Sequence, residues 1–191
     1  MINVKPSFIL FLIISLFSGF IKEIILLLFC ITIHELGHII MILIFKKQIK
    51  SVEITGIGCF INVNQNNANV IKSLFIYSGG LILNVLSILI FNNNLIIQFS
   101  KLLIFINLIP INPLDGFQII NTFLNLFYEN EFINDILFYI GLLINTLLLI
   151  FSLIFKVYFL IILCFFLFIR LFKFRKIKKF NYLQNYLKLS F

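Results

Sequence analysis

Two histidines and a glutamate form the clearest chemical pattern in the sequence. His34, Glu35 and His38 stand in the order HELGH, and they include both histidines of the chain. On an α-helix, residues four positions apart lie on one face, one turn from each other. Two imidazoles placed in this way can occupy adjacent corners of a tetrahedral zinc site, and a neighbouring carboxylate can take a proton from zinc-bound water. The pattern predicts a site for one zinc ion with Glu35 as its base.

The apolar surroundings of this pattern favour a metal over a chance occurrence of the same letters. Residues 24–45 contain no Lys or Arg that could neutralise the glutamate. An ionisable side chain at the centre of a membrane span costs at least about 2.5–3.5 kcal/mol on insertion scales. A bound metal explains the presence of all three polar side chains in such a span.

A third ligand is expected because catalytic zinc sites typically use three protein ligands and a water. Asp115 is the candidate, since the other candidate acidic residues lie in or next to predicted loops: Glu23, Glu53, Glu129, Glu131 and Asp135. Asp115 lies in the segment NLIPINPLDGF, where Pro110 and Pro113 break a helix at membrane depth. The alternative is that Asp115 caps a helix that follows the break, as aspartate does in turns.

The composition defines the elements that must position these residues. Of 191 residues, 62% are hydrophobic and 12% are charged, whereas soluble domains have about 45–50% and about 25%. This excludes a soluble enzyme, a disordered chain and a nucleic-acid-binding module. A bilayer core requires about 20 apolar residues per helix, so we predict one all-α polytopic membrane domain, residues 1–191, with six spans. The predicted spans are 7–21, 24–45, 73–91, 95–113, 133–152 and 156–173.

Residues 49–64 break the helical pattern, because apolar and polar residues alternate there around glycines 56 and 58. This predicts a short β-hairpin at the membrane interface. Such a hairpin could add an unwound substrate as a further strand. The alternative is a short interfacial linker.

The distribution of basic residues predicts the orientation in the membrane. Six spans place both termini on one side, together with the loop of residues 46–72. Twelve of the fifteen Lys and Arg residues lie on that side, while Lys22 and Lys156 lie on the other. Positive charge marks the cytoplasmic side, so we expect both termini in the cytoplasm. Heavy use of Phe, Ile, Asn and Lys is typical of a low-GC genome, most simply a bacterial one, and we expect a bacterial cell membrane protein.

The two motifs together resemble those of the site-2 proteases, a family of intramembrane zinc metalloproteases. HELGH at 34–38 followed by NLIPINPLDG at 107–116 is most similar to the compact six-span type, stage IV sporulation protein FB. The resemblance covers about half the chain and implies a three-helix catalytic core at about 24–120. It implies that His34, His38 and Asp115 bind the zinc and that Glu35 is the catalytic base.

Two further elements of the sequence are similar to family features. Asn107 and Pro113 match positions of the NxxPxxPLDG pattern that are thought to admit or position substrate. Gly80 and Asn84 resemble a Gly-x-x-x-Asn element, although Leu81 replaces the proline that usually follows the glycine. Here the alternative is that small residues permit close helix packing. Many family members carry a PDZ or CBS domain; we expect neither here, and we expect control by inhibitory or regulatory membrane proteins.

The predicted function is hydrolysis of a peptide bond in a membrane-tethered or transmembrane protein, near the cytoplasmic leaflet of the lipid bilayer. The resemblance suggests a sigma-factor precursor in sporulation, while signal-peptide remnants and anti-sigma factors are alternative substrates. The rival function is a membrane metal-ion carrier that uses the same two histidines and the aspartate. A further alternative is an inactive homologue that acts as a scaffold.

Overall fold

The computed structural model describes residues 2–6, 9, 19–55, 58–63, 69–127 and 130–189. Within these residues it has six helices and a small three-stranded sheet. The strands are β1 (Ile2–Val4), β2 (Ile49–Thr55) and β3 (Gly58–Val63). The helices are α1 (Ile21–Ile44), α2 (Val70–Ile90), α3 (Asn94–Leu108), α4 (Asp115–Leu124), α5 (Asn130–Ile154) and α6 (Tyr158–Leu189). The chain forms two compact units, residues 1–106 and 107–191.

The sheet of the first unit confirms the predicted hairpin and extends it. Strands β2 and β3 pair antiparallel, with Glu53 opposite Phe60 and an irregularity between Ile49 and Ser51. Strand β1 pairs in parallel with the other edge of β2. Lys5, which follows β1, lies 3.6 Å from the Glu53 carboxylate. The sequence did not predict β1, because three residues are too few to show an alternating pattern.

Helices α1, α2 and α3 of the first unit are joined by buried polar groups. The Ser87 hydroxyl lies 2.8 Å from that of Ser100, and Ser100 Oγ lies 3.7 Å from the Cys30 thiol. The thiol in turn lies 3.8 Å from the backbone oxygen of Ile96. Hydrogen bonds between helices satisfy polar groups that would otherwise face hydrocarbon, so these contacts hold one residue from each helix together.

Two clusters of buried apolar side chains form the interior of the second unit. Ile111, Phe138, Leu167 and Leu171 make up the first. The second consists of Phe117, Ile133 and Leu137. Asn145 on α5 is fully buried, and its amide donates a hydrogen bond of 3.1 Å to the Cys164 carbonyl on α6. These contacts align α5 with α6.

Three described helices are long and apolar enough to cross a membrane, namely Ile21–Ile44, Val70–Ile90 and Phe132–Ile154. α3 is a shorter apolar helix. Together with the apolar composition, they indicate an integral membrane protein. The first predicted span lies mostly outside the described residues, so the count of six stays a prediction.

The structure differs from the predicted spans at two boundaries. α3 ends at Leu108, whereas the predicted span ran to residue 113. Proline disfavours the helical conformation in the residue before it, and Pro110 therefore ends the helix early. α6 continues to Leu189, well beyond the predicted end at 173. Its basic residues are good helix formers, so the charges that end the apolar span do not end the helix.

Candidate metal centre

Helix α1 places His34 and His38 on the face that packs against α2. The two helix backbones are in direct contact: a Cβ atom at Gly37 would meet the Gly79 carbonyl oxygen, and one at Gly79 would lie 2.5 Å from the Gly37 carbonyl oxygen. Small residues at a helix crossing permit this close approach in a membrane. Packing is therefore closest one residue before His38.

Gly80, the next residue of α2, lies directly against both imidazoles. A Cβ atom there would be 2.5 Å from His34 Cε1 and 2.5 Å from His38 Nε2. Since real side chains do not approach so closely, any residue larger than glycine would displace the rings. The imidazoles occupy the space that a side chain would otherwise fill.

The hydrogen bonds of α2 orient both rings through their Nδ1 atoms. His38 Nδ1 lies 2.8 Å from the Ile76 carbonyl oxygen. A carbonyl can only accept a hydrogen bond, so Nδ1 of His38 carries the hydrogen. In the neutral ring, Nε2 then carries the lone pair that a metal accepts. On His34, Nδ1 lies 3.1 Å from the side-chain amide of Asn84.

The Nε2 atoms of the two histidines point toward each other at a distance of 3.2 Å. Two nitrogen ligands at about 2.0–2.1 Å from a tetrahedral zinc are about 3.3 Å apart. The spacing of the two nitrogens therefore fits two adjacent corners of a zinc site.

Asp115 is positioned by a break in the helical chain. Residues 109–114 form turns between α3 and α4, with the Ile111 amide bonded to the Ile109 carbonyl and the Leu114 amide to the Ile111 carbonyl. Asp115 is the first residue of α4, where the helix dipole favours a carboxylate. A Cβ atom at Gly116 would meet the carbonyl oxygen of Leu108. Glycine thus permits the start of α4 to pack on the end of α3.

The described residues contain one group of side chains that could hold a metal ion. His34 and His38 of the first unit and Asp115 of the second each offer one ligand atom. Two imidazole nitrogens and one carboxylate oxygen form a donor set that suits catalytic zinc. The space left by Gly80 and the spacing of the Nε2 atoms fit the same ion.

The other predicted site residues lie close to these ligands in sequence. Glu35 follows His34 on α1 and is half-buried. Asn107 is the penultimate residue of α3 and is half-buried. Pro113 lies in the break before α4 and follows a cis peptide bond. Their roles in catalysis and substrate binding remain predictions.

Sequence patterns indicate only some of the groups that orient the histidines. The spacing of Gly80 and Asn84 was compatible with packing or with function, and the structure brings both residues against the histidine rings. No sequence pattern could indicate the Ile76 carbonyl, because every residue has this backbone group. It becomes recognisable only when α1 and α2 are packed together.

The fold is similar to that of a protein of known structure. The site-2 protease from Methanocaldococcus jannaschii superposes on this chain with a TM-score of 0.68. The match covers 90% of this chain and 89% of that chain, at 24% sequence identity. This chain has the fold of a site-2 protease. No protein-family model and no curated protein matches its sequence.

Proposed function

We propose that this chain is an intramembrane zinc metalloprotease. The observation that carries the proposal is the group formed by His34, His38 and Asp115, in an apolar chain that has the fold of a site-2 protease. His34 and His38 would hold the zinc through imidazole nitrogens, and Asp115 would hold it through a carboxylate oxygen. Glu35 is the general base.

The zinc ion, when bound, supplies a Lewis acid that lowers the pKa of water and polarises a carbonyl. Glu35 accepts a proton from the attacking water and returns it to the leaving amine, as a general acid–base catalyst. Glu35 follows His34 on α1, so its carboxylate extends from the same helix that carries two of the proposed ligands. Asn107 and Pro113 admit or position the substrate.

The substrate is a membrane-tethered or transmembrane protein that is unwound at the cleavage point. A helical peptide bond is shielded by its own turn, so a protease must hold its substrate extended. Among the described residues, β3 pairs with β2 alone, while β2 is covered on both edges. An extended segment that pairs with the second edge of β3 gains backbone hydrogen bonds. Cleavage takes place near the cytoplasmic leaflet, with both termini in the cytoplasm.

A sigma-factor precursor is the first substrate to test, because the motifs are most similar to the sporulation type. Signal-peptide remnants and anti-sigma factors are alternative substrates, because their cleavage would use the same residues. Inhibitory or regulatory membrane proteins would control the reaction by blocking access to the site.

The deciding experiment replaces Glu35 by Gln in the full chain and follows cleavage of a co-expressed, membrane-tethered sigma-factor precursor. Loss of a general base lowers turnover by about 100- to 10,000-fold, and we expect unchanged zinc content. Glu23→Gln is the matched control, since Glu23 lies in the first turn of the same helix. We expect wild-type cleavage from this variant.

Three outcomes would change the proposal. Equal cleavage by wild type and Glu35→Gln would exclude Glu35 as the base. Zinc uptake into vesicles that survives Glu35→Gln, without cleavage by any variant, would favour the metal-ion carrier. Absence of precursor cleavage together with cleavage of signal-peptide remnants would exclude the sigma-factor substrate and keep the protease.

A further inference from the structure

The two histidines are oriented by chemically different partners. His38 Nδ1 faces a backbone oxygen, that of Ile76, at 2.8 Å. His34 Nδ1 faces a side chain, that of Asn84, at 3.1 Å. The orientation of His38 therefore follows from the helix packing, whereas that of His34 depends on the identity of one residue.

Asn84 is fully buried on α2, in a helix of apolar residues. A buried polar side chain within a membrane span is costly, so the group that it contacts is informative. Its side chain reaches His34 on the neighbouring helix, one turn beyond Gly80. This contact links Asn84 to the proposed metal site.

The amide of Asn84 is oriented with its nitrogen toward His34, and its oxygen Oδ1 is buried with no hydrogen-bond partner among the described residues. The two ends of an Asn amide have nearly the same shape, and their assignment follows from the hydrogen-bond network. An amide nitrogen that donates to Nδ1 requires the hydrogen of neutral His34 to lie on Nε2. That tautomer has no lone pair on the atom that faces His38 Nε2.

The opposite orientation of the amide suits a metal ligand. If Oδ1 accepts a hydrogen bond from Nδ1 of His34, the lone pair lies on Nε2, as it does for His38. Metal-binding histidines generally donate their second ring hydrogen to an oxygen that fixes both tautomer and ring orientation. We propose that Asn84 is a positioning residue, whose side-chain oxygen accepts the Nδ1 hydrogen of His34 and holds Nε2 toward the metal.

This inference rests on the proposed metal site, and the test separates the two. Full-length wild type, Asn84→Leu and Asn84→Asp are purified in detergent, and the affinity for Co²⁺ and Zn²⁺ is measured by chelator competition. Leu has the same branched arrangement of heavy atoms as Asn but no acceptor, and ionised Asp has only acceptors. We expect a loss of about 10- to 100-fold for Leu, the range for lost supporting hydrogen bonds at metal sites. Asp should bind at least as tightly as wild type.

Asn145→Leu is the matched control. Asn145 is also a fully buried asparagine of an apolar helix, and its Oδ1 has no hydrogen-bond partner in the described part of the chain, but its amide nitrogen donates to the Cys164 carbonyl. We expect wild-type metal affinity from this variant. Thermal unfolding of each protein separates a lost hydrogen bond at the site from a general loss of structure.

A spectroscopic readout tests the tautomer directly. The chain has two histidines, so labelling histidine with ¹⁵N gives four ring nitrogens, and His38 serves as an internal reference. In the zinc-loaded wild type we expect a hydrogen on Nδ1 of both rings. In Asn84→Leu the His34 signals should shift or broaden as the tautomer and ring orientation lose their constraint, while those of His38 remain.

Each alternative result identifies what is wrong. Wild-type affinity and unchanged His34 signals in Asn84→Leu would overturn the positioning role and leave the metal site intact. If Asn84→Asp binds metal as weakly as Asn84→Leu, the amide nitrogen and not the oxygen of Asn84 supports His34. Absence of metal binding by folded wild type would overturn the positioning role together with the proposed function.

Discussion

The proposed ligands from the two compact units are positioned in opposite ways. His34 and His38 lie inside an unbroken helix, and regular helical geometry places them one turn apart on one face. Asp115 instead begins a helix after a six-residue interruption that contains Pro110 and Pro113. The histidines therefore depend on the surface of the neighbouring helix. The aspartate depends on where one helix stops and the next begins.

The largest effect should follow the loss of a ligand from either region. We expect His34→Ala and Asp115→Ala each to weaken zinc binding by more than about 100-fold, beyond the loss seen for supporting partners of ligands. Zinc content after dialysis against a chelator measures this loss.

Asp135→Ala is the control for the aspartate, because Asp135 is an exposed residue of the same unit that lies 3.6 Å from Arg175. It should retain wild-type zinc content. Tight zinc binding by Asp115→Ala would instead show that Asp115 is not a ligand and serves only at the start of α4.

Gly80→Ala should have the next largest effect. The added methyl group would lie 2.5 Å from atoms of both imidazoles, so the rings must move. A displacement of about 1 Å at a catalytic site can cost about 100-fold in rate. We expect a loss of this size in proteolysis, together with a changed visible spectrum of the Co²⁺-loaded protein.

Gly141→Ala is the control for this substitution. Its added methyl group would lie 3.2 Å from a terminal carbon of Leu171, a flexible side chain that can yield. The spectrum and the rate should remain those of wild type. A Gly80→Ala protein with the wild-type Co²⁺ spectrum would show that the rings have more room than the helix packing indicates.

The regular helix that carries the histidines was easier to predict from the sequence than the helix break that carries Asp115. The helix with His34 and His38 was predicted within a few residues of Ile21–Ile44, because an apolar run of that length leaves little choice. The hairpin was predicted because alternation and glycine are local signals. The contact of Asn84 with His34 joins residues 50 positions apart, and no local pattern reports it.

The region of Asp115 was harder to predict because it is irregular. The prolines indicated a break, yet the predicted span continued to residue 113 while the helix ends at Leu108. The alternative to the ligand role is that Asp115 caps the helix after the break. That helix is present, but its N-cap is Leu114 and Asp115 is its first residue. The start of a helix is compatible with the ligand role, since the first residue of a helix can also bind a metal. The need for glycine at position 116 is evident only from the packing of the end of α3 against it.

A smaller effect is expected from Gly116→Ala. The added methyl group would meet the Leu108 carbonyl oxygen and lie 3.0 Å from that of Ile109. Backbone atoms cannot rotate away, so the start of α4 must shift and carry Asp115 with it. We expect zinc affinity to fall by about tenfold, the lower end of the range for disturbed support of a ligand. Chelator competition measures the change, and unchanged affinity would mean that α4 shifts without moving the carboxylate.

The smallest effect should come from the polar contacts among α1, α2 and α3. Ser100→Ala removes the hydroxyl that contacts Ser87 at 2.8 Å and the Cys30 thiol at 3.7 Å. Hydrogen bonds between membrane helices contribute about 0.6 kcal/mol on average, so we expect a loss of this order in the free energy of unfolding. Ser78→Ala is the control, because the Ser78 hydroxyl bonds within its own helix to the Leu74 carbonyl.

Zinc affinity should be unchanged in Ser100→Ala, although Cys30 lies one turn before His34 on the same helix. The reason is that the contacts of Gly37 with Gly79 and of Gly80 with the rings hold the histidine face independently of the serines. Unfolding in mixed detergent, followed by circular dichroism, gives the stability, and Co²⁺ titration gives the affinity. A fall in affinity of the size expected for Asn84→Leu would mean that the histidine face depends on all three helices, and that the first region is as sensitive to its surroundings as the helix break that carries Asp115.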